Sequence, residues 1–375
     1  MSIRFPSAAI AIALSSGAAW GDVPDVVTDI APVHSLVARI MEGVGTPDLI
    51  LPQNASPHGF ALRPSQAAAL QNADLVFWVS ENLTPWLGEA LETLAPDAVS
   101  IELLEVADTR VLPIRTGATF EAHDHDDHAE EHDEDHDDHA DEHEGHDDHA
   151  EHADHGHEEH HDDDHGDHAD GHDDHAEDHA DHGHDEHHDD HDEEGHAGDH
   201  AGHDHSGIDP HAWLDPLNAA VWAQAIAETL AQADPENALS YQANADNLLM
   251  ELGSLVADVN AEFSMSLPSG FIVFHDAYQY FESRFGLSPL GAISLSDATA
   301  PSAGRVAEIR ERIAELGGTC VFAEPQFDPR IVATVTEGTQ TGTAVIDPLG
   351  SGLDIGAGLY PALIRAMANS FQSCG

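Results

Sequence analysis

The chain has 375 residues and a formal net charge of −61, with 72 acidic residues against 11 basic residues, all of them arginine. This length is sufficient for two or three domains. So acidic a surface argues against nucleic acid as a partner, because a phosphate backbone requires cationic contacts, but it is compatible with the attraction of metal cations.

The first 21 residues have the pattern of a secretory signal peptide. Arg4 provides the charged start, residues 8–14 form a short apolar core, and Ala19 and Gly21 are small enough for a cleavage site. The apolar core is too short to span a bilayer, and no later run is longer. No cysteine follows the cleavage site to carry a lipid. We therefore expect a soluble, exported protein without direct membrane insertion.

Residues 22–120 alternate between short strands and helical patterns. Apolar, β-branched runs predict strands, and apolar spacing of three or four predicts helices. The strands are expected at 25–30, 49–51 and 74–79, and the helices at 32–41, 64–70 and 86–94. This alternation is typical of a parallel sheet, so we predict an N-terminal α/β lobe.

Residues 121–206 have a composition of their own. They contain 39 of the 72 acidic residues and 28 of the 32 histidines, and the unit His-Asp-Asp-His-Ala recurs four times. No apolar side chain larger than alanine occurs there, so we expect a disordered insertion without a core. A solvated acidic linker would explain the carboxylates but not the histidines. Since histidine binds metal near neutral pH, we predict a metal-binding loop.

The α/β pattern resumes after the insertion. Residues 207–233 complete the first lobe, and residues 234–267 carry a long apolar stripe of helical period, which predicts one rigid linker helix. Residues 268–375 form a C-terminal α/β lobe, with strands expected at 271–274, 319–323 and 343–346. The predicted fold is thus two parallel-sheet α/β lobes joined by one long helix.

Three histidines outside the insertion occupy similar settings. His275 follows the strand 271–274 at its carboxyl end, where ligands gather in α/β sheets. His58 and His211 lie in loops that contain proline. Any one of them alone is more commonly an ordinary polar residue, but the three together suggest one imidazole-rich metal site.

The two cysteines, Cys320 and Cys374, fit an oxidising compartment and one disulfide bond. Such a bond would tie the start of a late strand to the end of the chain. A metal site that uses both cysteines is the alternative, although their spacing matches no compact zinc motif.

Six motifs, in order along the chain, resemble those of the metal-binding solute-binding proteins of ABC transporters. They are Pro57-His58-Gly-Phe-Ala-Leu-Arg63-Pro-Ser65, Asn72-Ala-Asp74-Leu-Val, Asp209-Pro-His211-Ala-Trp-Leu-Asp-Pro216, Phe274-His275-Asp-Ala-Tyr278, Phe322-Ala-Glu324-Pro-Gln326 and Ile346-Asp347-Pro-Leu-Gly350. Each motif is weak alone, but together they are specific and extend over the mature chain outside the insertion. The zinc-uptake members are the most similar, since they carry a His- and acid-rich loop at this place and a C-terminal disulfide that matches the two cysteines.

The resemblance implies a metal ion bound in the cleft between the two lobes. His58, His211 and His275 match the three histidines of the zinc site. Asp347 matches the carboxylate that completes the site in manganese-binding relatives, so the fourth ligand is Asp347 or a water molecule. The alternative for Asp347 is a turn-forming role before a proline.

Two neighbouring residues bear on the fourth ligand. Some zinc-binding members have a glutamate just before the first histidine, but this chain has Pro57, which cannot ligate through its side chain. Glu324 lies at a neighbouring strand end. It is a weaker candidate than Asp347 and is more readily explained as structural.

The function that the resemblance implies is capture of periplasmic Zn²⁺ by a monomer and its delivery to an ABC permease, with the insertion collecting or sensing zinc. Manganese or iron capture is the alternative within the fold, but such relatives usually carry glutamate at the position of His275, and imidazole suits zinc. A zinc enzyme would also use three histidines, yet the chain has no His-Glu-x-x-His motif and no obvious general base. A periplasmic zinc buffer without a permease partner is a further alternative.

Overall fold

The computed structural model describes residues 23–115, 207–265, 270–295, 301–316 and 319–374. The predicted signal peptide and the insertion 121–206 lie outside these residues. The described chain forms two α/β lobes, each built on its own parallel sheet of four strands. Among its helices, none has the length and apolar character needed to cross a membrane.

The first lobe has the strand order β2-β1-β3-β4. Its elements are β1 (Val26–Thr28), α1 (Ala31–Ile40), β2 (Asp48–Leu49), α2 (Pro64–Asn72), β3 (Leu75–Trp78), α3 (Pro85–Leu94), β4 (Val99–Glu102) and α4 (Pro216–Ala233). All four helices have proline in their first two positions, where a missing N–H costs nothing. Side chains of β3 alternate between the two faces of the sheet, and those on each face pack against apolar neighbours.

Helix α5 (Ala238–Met265) is 28 residues long and joins the two lobes. Its buried residues recur every three or four positions, as the apolar stripe predicts. They are Tyr241, Ala245, Leu248, Leu252, Leu255, Val259 and Phe263. The helix packs against α1 and α4, and one hydrophobic core runs from the first lobe along α5 into the second.

The second lobe has the strand order β6-β5-β7-β8. Its elements are β5 (Phe271–His275), α6 (Gln279–Phe285), β6 (Pro289–Ser294), α7 (Ala303–Leu316), β7 (Cys320–Ala323), α8 (Pro329–Thr336), β8 (Gly342–Val345) and α9 (Leu359–Ser373). Phe271 and Val273 of β5 face the shared core, while Ile272 and Phe274 face α7 and α8. The fold predicted from the sequence, two parallel-sheet lobes, is confirmed.

A disulfide bond joins Cys320, the first residue of β7, to Cys374, which follows α9. The Cα atoms of the two cysteines are 5.6 Å apart. The bond fixes the last helix to the sheet of the second lobe. It is the pairing that the cysteine count and the family resemblance imply.

Two strands, β4 and β6, were not predicted from the sequence, and both lie at the edge of a sheet. Strand β6 contains Pro289 and Gly291, residues that weaken any strand pattern and that edges tolerate. Strand β4 leaves Val99 about half exposed, so its apolar signal is short.

The chain segments that flank the insertion pair with each other. Pro113 and Ile208 form an antiparallel bridge, the N–H of Ile114 donates to the carbonyl of Gly207, and Asp209 donates in the same way to Leu112. We call this pair, residues 112–115 and 207–209, the stem ribbon. Its second segment, residues 207–209, ends two positions before His211.

Candidate metal centre

His275 ends strand β5 and is only 4% exposed. One carboxylate oxygen of Glu324, Oε1, accepts hydrogen bonds from the backbone N–H of His275 at 3.2 Å and from its Nδ1 at 2.7 Å. Because the carboxylate accepts, Nδ1 carries the proton and Nε2 keeps its lone pair. Glu324 directly follows β7, which pairs with β5, so the sheet itself brings this carboxylate to the imidazole.

His211 is held in the same way by a carboxylate of its own loop. Oδ1 of Asp209 accepts from the backbone N–H of His211 at 3.0 Å and from its Nδ1 at 2.7 Å. The ring of Trp213 lies 5.2 Å from the imidazole, between centroids, and limits its rotation. The Nε2 atom of His211 is therefore also the nitrogen that keeps a lone pair for a metal ion.

His58 lies half-buried in the loop that follows β2. The loop is held from both lobes. Trp86 of α3 donates its Nε1–H to the carbonyl of Pro57 at 2.7 Å. Gln53 donates its side-chain amide to the carbonyls of Gly350 and Leu353 in the second lobe, at 3.1 and 2.8 Å. Contacts with both lobes thus hold the segment that leads to His58.

The three imidazoles are neighbours, but they are not equally close. The ring centroids of His211 and His275 are 5.3 Å apart, and those of His58 and His211 are 6.2 Å apart. Two imidazoles on one tetrahedral zinc ion have centroids roughly 5 Å apart, since each Zn–N bond is about 2.0–2.1 Å. His211 and His275 already meet this requirement. Within the part of the chain that the structure describes, no group of three His, Cys, Asp or Glu side chains is assembled for a metal ion. The centroids of His58 and His211, 6.2 Å apart, are about 1 Å further apart than this geometry requires.

The carboxylate of Asp347 accepts five hydrogen bonds from neighbouring protein groups. Oδ1 accepts from the side-chain amide of Gln326 and from the backbone N–H groups of Leu349 and Gly350, each at 3.0 Å. Oδ2 accepts from the backbone N–H and the hydroxyl of Ser351, both at 2.6 Å. This arrangement favours the turn-forming role over ligation, and Asp347 as a ligand stays a prediction.

A cavity of about 360 Å³ opens beside His58 and His211. The stem ribbon lines one side of it, and the buried carboxyl group of Asp276 lines another. Burial raises the pKa of Asp276 above its ordinary value, although the hydrogen bond from Arg115 opposes that shift. Burial likewise raises the pKa of Glu282, a neighbour of the same arginine, to about 7.

Sequence reasoning missed two residues that organise this site. Asp209 belongs to the motif that contains His211, but the motif alone does not show whether its carboxylate bonds the histidine ring or stabilises a turn. Arg115 is the last basic residue before the acidic insertion, and its partners, Asp276 and Glu282, lie more than 160 positions further along the chain.

The sequence matches the protein family described as "Zinc-uptake complex component A periplasmic" (ZnuA) over residues 26–374. High-affinity zinc uptake system protein ZnuA of Brucella abortus (strain 2308) is 41% identical over 354 residues, which are 94% of this chain and 92% of that protein. The protein of the same name from Paracoccus denitrificans is 40% identical, and the alignment covers 99% of this chain and 98% of its relative.

Solved structures give the same fold. A crystal structure of ZnuA aligns with a TM-score of 0.60 at 21% identity, over 93% of this chain and 100% of that one. A zinc-bound ZnuA deletion mutant aligns with a TM-score of 0.59 at 20% identity, over 93% and 98%. The laminin-binding adhesin Lmb of Streptococcus agalactiae aligns with a TM-score of 0.60 at 18% identity, over 93% and 99%. All three share the two-lobed α/β architecture.

Proposed function

Because the chain belongs to the family of periplasmic zinc-uptake complex component A, we propose that it captures Zn²⁺ in the periplasm and delivers it to the membrane permease of an ABC transporter. One observation supports this most directly. The imidazoles of His211 and His275 lie 5.3 Å apart, and a carboxylate holds each of them in the tautomer that offers Nε2. A centroid separation of about 5 Å is the one expected for two imidazoles on one tetrahedral zinc ion.

In this proposal, the cargo ion is bound by residues of both lobes. His58 and His211 come from the first lobe and His275 from the second, and the fourth position takes an oxygen ligand. The candidates for that oxygen are a water molecule and Asp347, and the five hydrogen bonds of Asp347 favour water. Movement of His58 toward the other two histidines would complete the site. Its withdrawal on docking to the permease would weaken the site and release the ion.

The metal that suits this ligand set best is zinc. Manganese and iron carriers of the same fold would be better served by a carboxylate at the position of His275. The named relatives are zinc-uptake proteins rather than enzymes, and we propose no catalytic role. We propose further that export removes residues 1–21 and that the mature protein acts as a monomer.

The insertion 121–206 has the composition of an accessory zinc collector or sensor. Its 28 histidines would bind several ions, each more weakly than the main site, because the segment must become ordered around each ion. The stem ribbon, whose two segments flank the insertion in the sequence, lines the cavity beside His58 and His211, and we propose that ions collected by the insertion are passed to the main site there.

The test is calorimetric titration with zinc of the mature protein, with and without residues 121–206. We expect the shortened protein to bind one zinc ion tightly and the full-length protein to bind several more weakly. His275→Ala should abolish the tight site. His34→Gln is the matched control, because His34 lies on α1 and its ring bonds to the carbonyl of Pro47. If the shortened protein bound no zinc, the three-histidine site would be wrong and a buffering role of the insertion would be the better interpretation.

A further inference from the structure

The stem ribbon of the first lobe is fastened to helix α6 of the second. The hydroxyl of Tyr280 accepts a hydrogen bond from the backbone N–H of Leu112 at 2.9 Å and donates one to the carbonyl of Asp209 at 2.8 Å. It therefore touches both strands of the ribbon. In the orientation of its side-chain amide that satisfies both acceptors, Gln279 donates to the carbonyl of Pro113 at 3.0 Å and to Oδ2 of Asp209 at 3.1 Å.

The contacts between the stem ribbon and the second lobe form a junction, and Arg115 contributes its ion pairs. Its Nε donates to both carboxylate oxygens of Asp276, at 3.0 and 3.1 Å, and its Nη2 pairs with Asp276 as well. Its Nη1 donates to Oε2 of Glu282 at 2.7 Å. The side chains of Asp276 and Glu282 are only 5% and 3% exposed. Loss of the guanidinium would therefore remove a positively charged partner from two buried carboxyl groups, which is costly.

Each side of this junction leads directly to a candidate ligand. Asp276 follows His275 in the chain. On the other side, the ribbon strand that pairs with the segment of Arg115 ends at Asp209, whose carboxylate holds the ring of His211. The contacts between the stem ribbon and the second lobe therefore connect the chain segments that carry His211 and His275, whose imidazole centroids lie 5.3 Å apart.

We propose that Arg115 is a positioning residue for metal binding, which holds the ribbon that carries His211 against the segment that carries His275 and so sets the distance between the two imidazoles. This inference rests on the proposed function, since it assigns a further residue to the same site. Arg115 does not touch the ion itself.

The sign of the effect separates positioning from simple electrostatics. A guanidinium close to a bound cation repels it, so removal of the positive charge would tighten zinc binding if charge alone mattered. If Arg115 sets the spacing of the ligands, its removal weakens binding in spite of the more negative surroundings. The two explanations therefore predict opposite changes in the dissociation constant.

The test compares Arg115→Gln, Arg115→Lys and the wild-type mature protein by competition with a chromophoric zinc chelator. We expect the glutamine variant to bind zinc about 10-fold more weakly, as for other residues that support a metal ligand indirectly. Lysine keeps the charge but not the planar fork that bonds both carboxylates, so it should restore only part of the affinity. Arg330→Gln is the matched control, since Arg330 is 89% exposed and pairs only with Asp328 among the ion pairs of the described residues.

A second readout addresses geometry. Co²⁺ bound in place of zinc reports tetrahedral coordination through the intensity of its visible absorption, and we expect this intensity to fall in Arg115→Gln and to recover in part in Arg115→Lys. Should Arg115→Gln fail to fold, as judged by thermal unfolding without metal, Tyr280→Phe replaces it. That variant removes only the hydroxyl that bonds both ribbon strands, and we expect roughly 5-fold weaker zinc binding.

The outcomes are distinguishable. A wild-type protein that binds no zinc at the paired histidines overturns the proposed function and this inference together. A folded Arg115→Gln variant whose zinc affinity equals or exceeds that of the wild type, with an unchanged Co²⁺ spectrum, overturns the inference alone. Unchanged binding by Tyr280→Phe does the same where the arginine variant does not fold.

Discussion

Glu324 holds His275 through a single oxygen atom, which accepts hydrogen bonds from both the ring Nδ1 and the backbone N–H of the histidine. Asp209 holds His211 in the same way, although that carboxylate comes from the same loop rather than from a neighbouring strand. In both cases, the tautomer and the orientation of the ring are fixed before any metal arrives. A site of this kind loses little conformational freedom when it binds an ion.

The first prediction concerns Glu324→Gln. The amide keeps the size of the side chain but removes the negative charge and can present either an acceptor or a donor to Nδ1 of His275. We expect zinc affinity to fall about 10- to 100-fold, measured by chelator competition. Glu337→Gln, at an exposed position that follows α8, should leave the affinity unchanged. Zinc binding by Glu324→Gln within twofold of the wild type would show that the carboxylate does not support the ligand.

The sequence predicts the central features of this fold because they are local. The strand that ends at His275 begins with four apolar residues, and the apolar stripe on α5 repeats over 28 residues. Each pattern predicts its element from neighbouring residues alone. The edge strand β6 does not, because Pro289 and Gly291 weaken its pattern.

The candidate site is predictable only in part, for a related reason. The three histidines are recognisable in the sequence as candidate ligands, His275 at the end of a strand and the other two in loops that contain proline. Their supports are not, because the hydrogen bond between His275 and Glu324 spans 49 positions and the pair of Arg115 and Asp276 spans 161. Contacts of this length depend on how the sheets and lobes assemble, and no local pattern carries that information.

The second prediction concerns the movement of His58. We expect a zinc-bound crystal structure to show the ring centroids of His58 and His211 roughly 5 Å apart, compared with 6.2 Å here, because a shared tetrahedral ion draws the imidazoles together. The distance between His211 and His275 should stay close to its present 5.3 Å. A zinc ion bound by the latter pair while His58 stays at its present distance would remove His58 from the ligand set.

The third prediction separates the two roles of Asp347. The five hydrogen bonds of its carboxylate stabilise the turn after β8, so Asp347→Asn should lower the free energy of unfolding by about 1–3 kcal/mol in urea titrations. Zinc affinity should change by less than about 3-fold if water is the fourth ligand, since less than 1 kcal/mol would then be lost. Asp354→Asn is an exposed control. Unchanged stability together with a large loss of zinc affinity would instead identify Asp347 as a ligand.

The fourth prediction concerns the disulfide between Cys320 and Cys374. It closes a loop with a sequence separation of 54, and its loss should reduce the free energy of unfolding by about 4 kcal/mol in the chain-entropy estimate. Urea unfolding of Cys374→Ser, beside wild-type protein with and without reductant, measures this. Cys320 begins β7 while Glu324 follows its end, so zinc binding to the folded variant should persist. Equal stability of oxidised and reduced protein would contradict the estimate.

The fifth prediction uses the pH dependence of stability that Asp29 confers. The residue is fully buried at the end of β1, and burial raises its pKa from 3.8 to about 7 against the opposing hydrogen bonds from the N–H groups of Val79 and Ile30. The folded protein therefore holds this proton more tightly than the unfolded chain. The stability that results is fully present below about pH 4 and is lost as the pH rises toward 7.

Asp29→Asn removes this proton equilibrium while it keeps the size of the side chain. The stability of the variant relative to the wild type should therefore rise with pH, by up to about 1.4 kcal/mol per pH unit between pH 4 and 7. Other buried groups that titrate, among them His34, whose pKa is lowered by burial, are common to both proteins and cancel in the comparison. Urea unfolding without metal at pH 4.5, 6 and 7.5 measures the difference. Parallel stability curves would show that Asp29 stays ionised in the folded protein, stabilised by its two backbone hydrogen bonds.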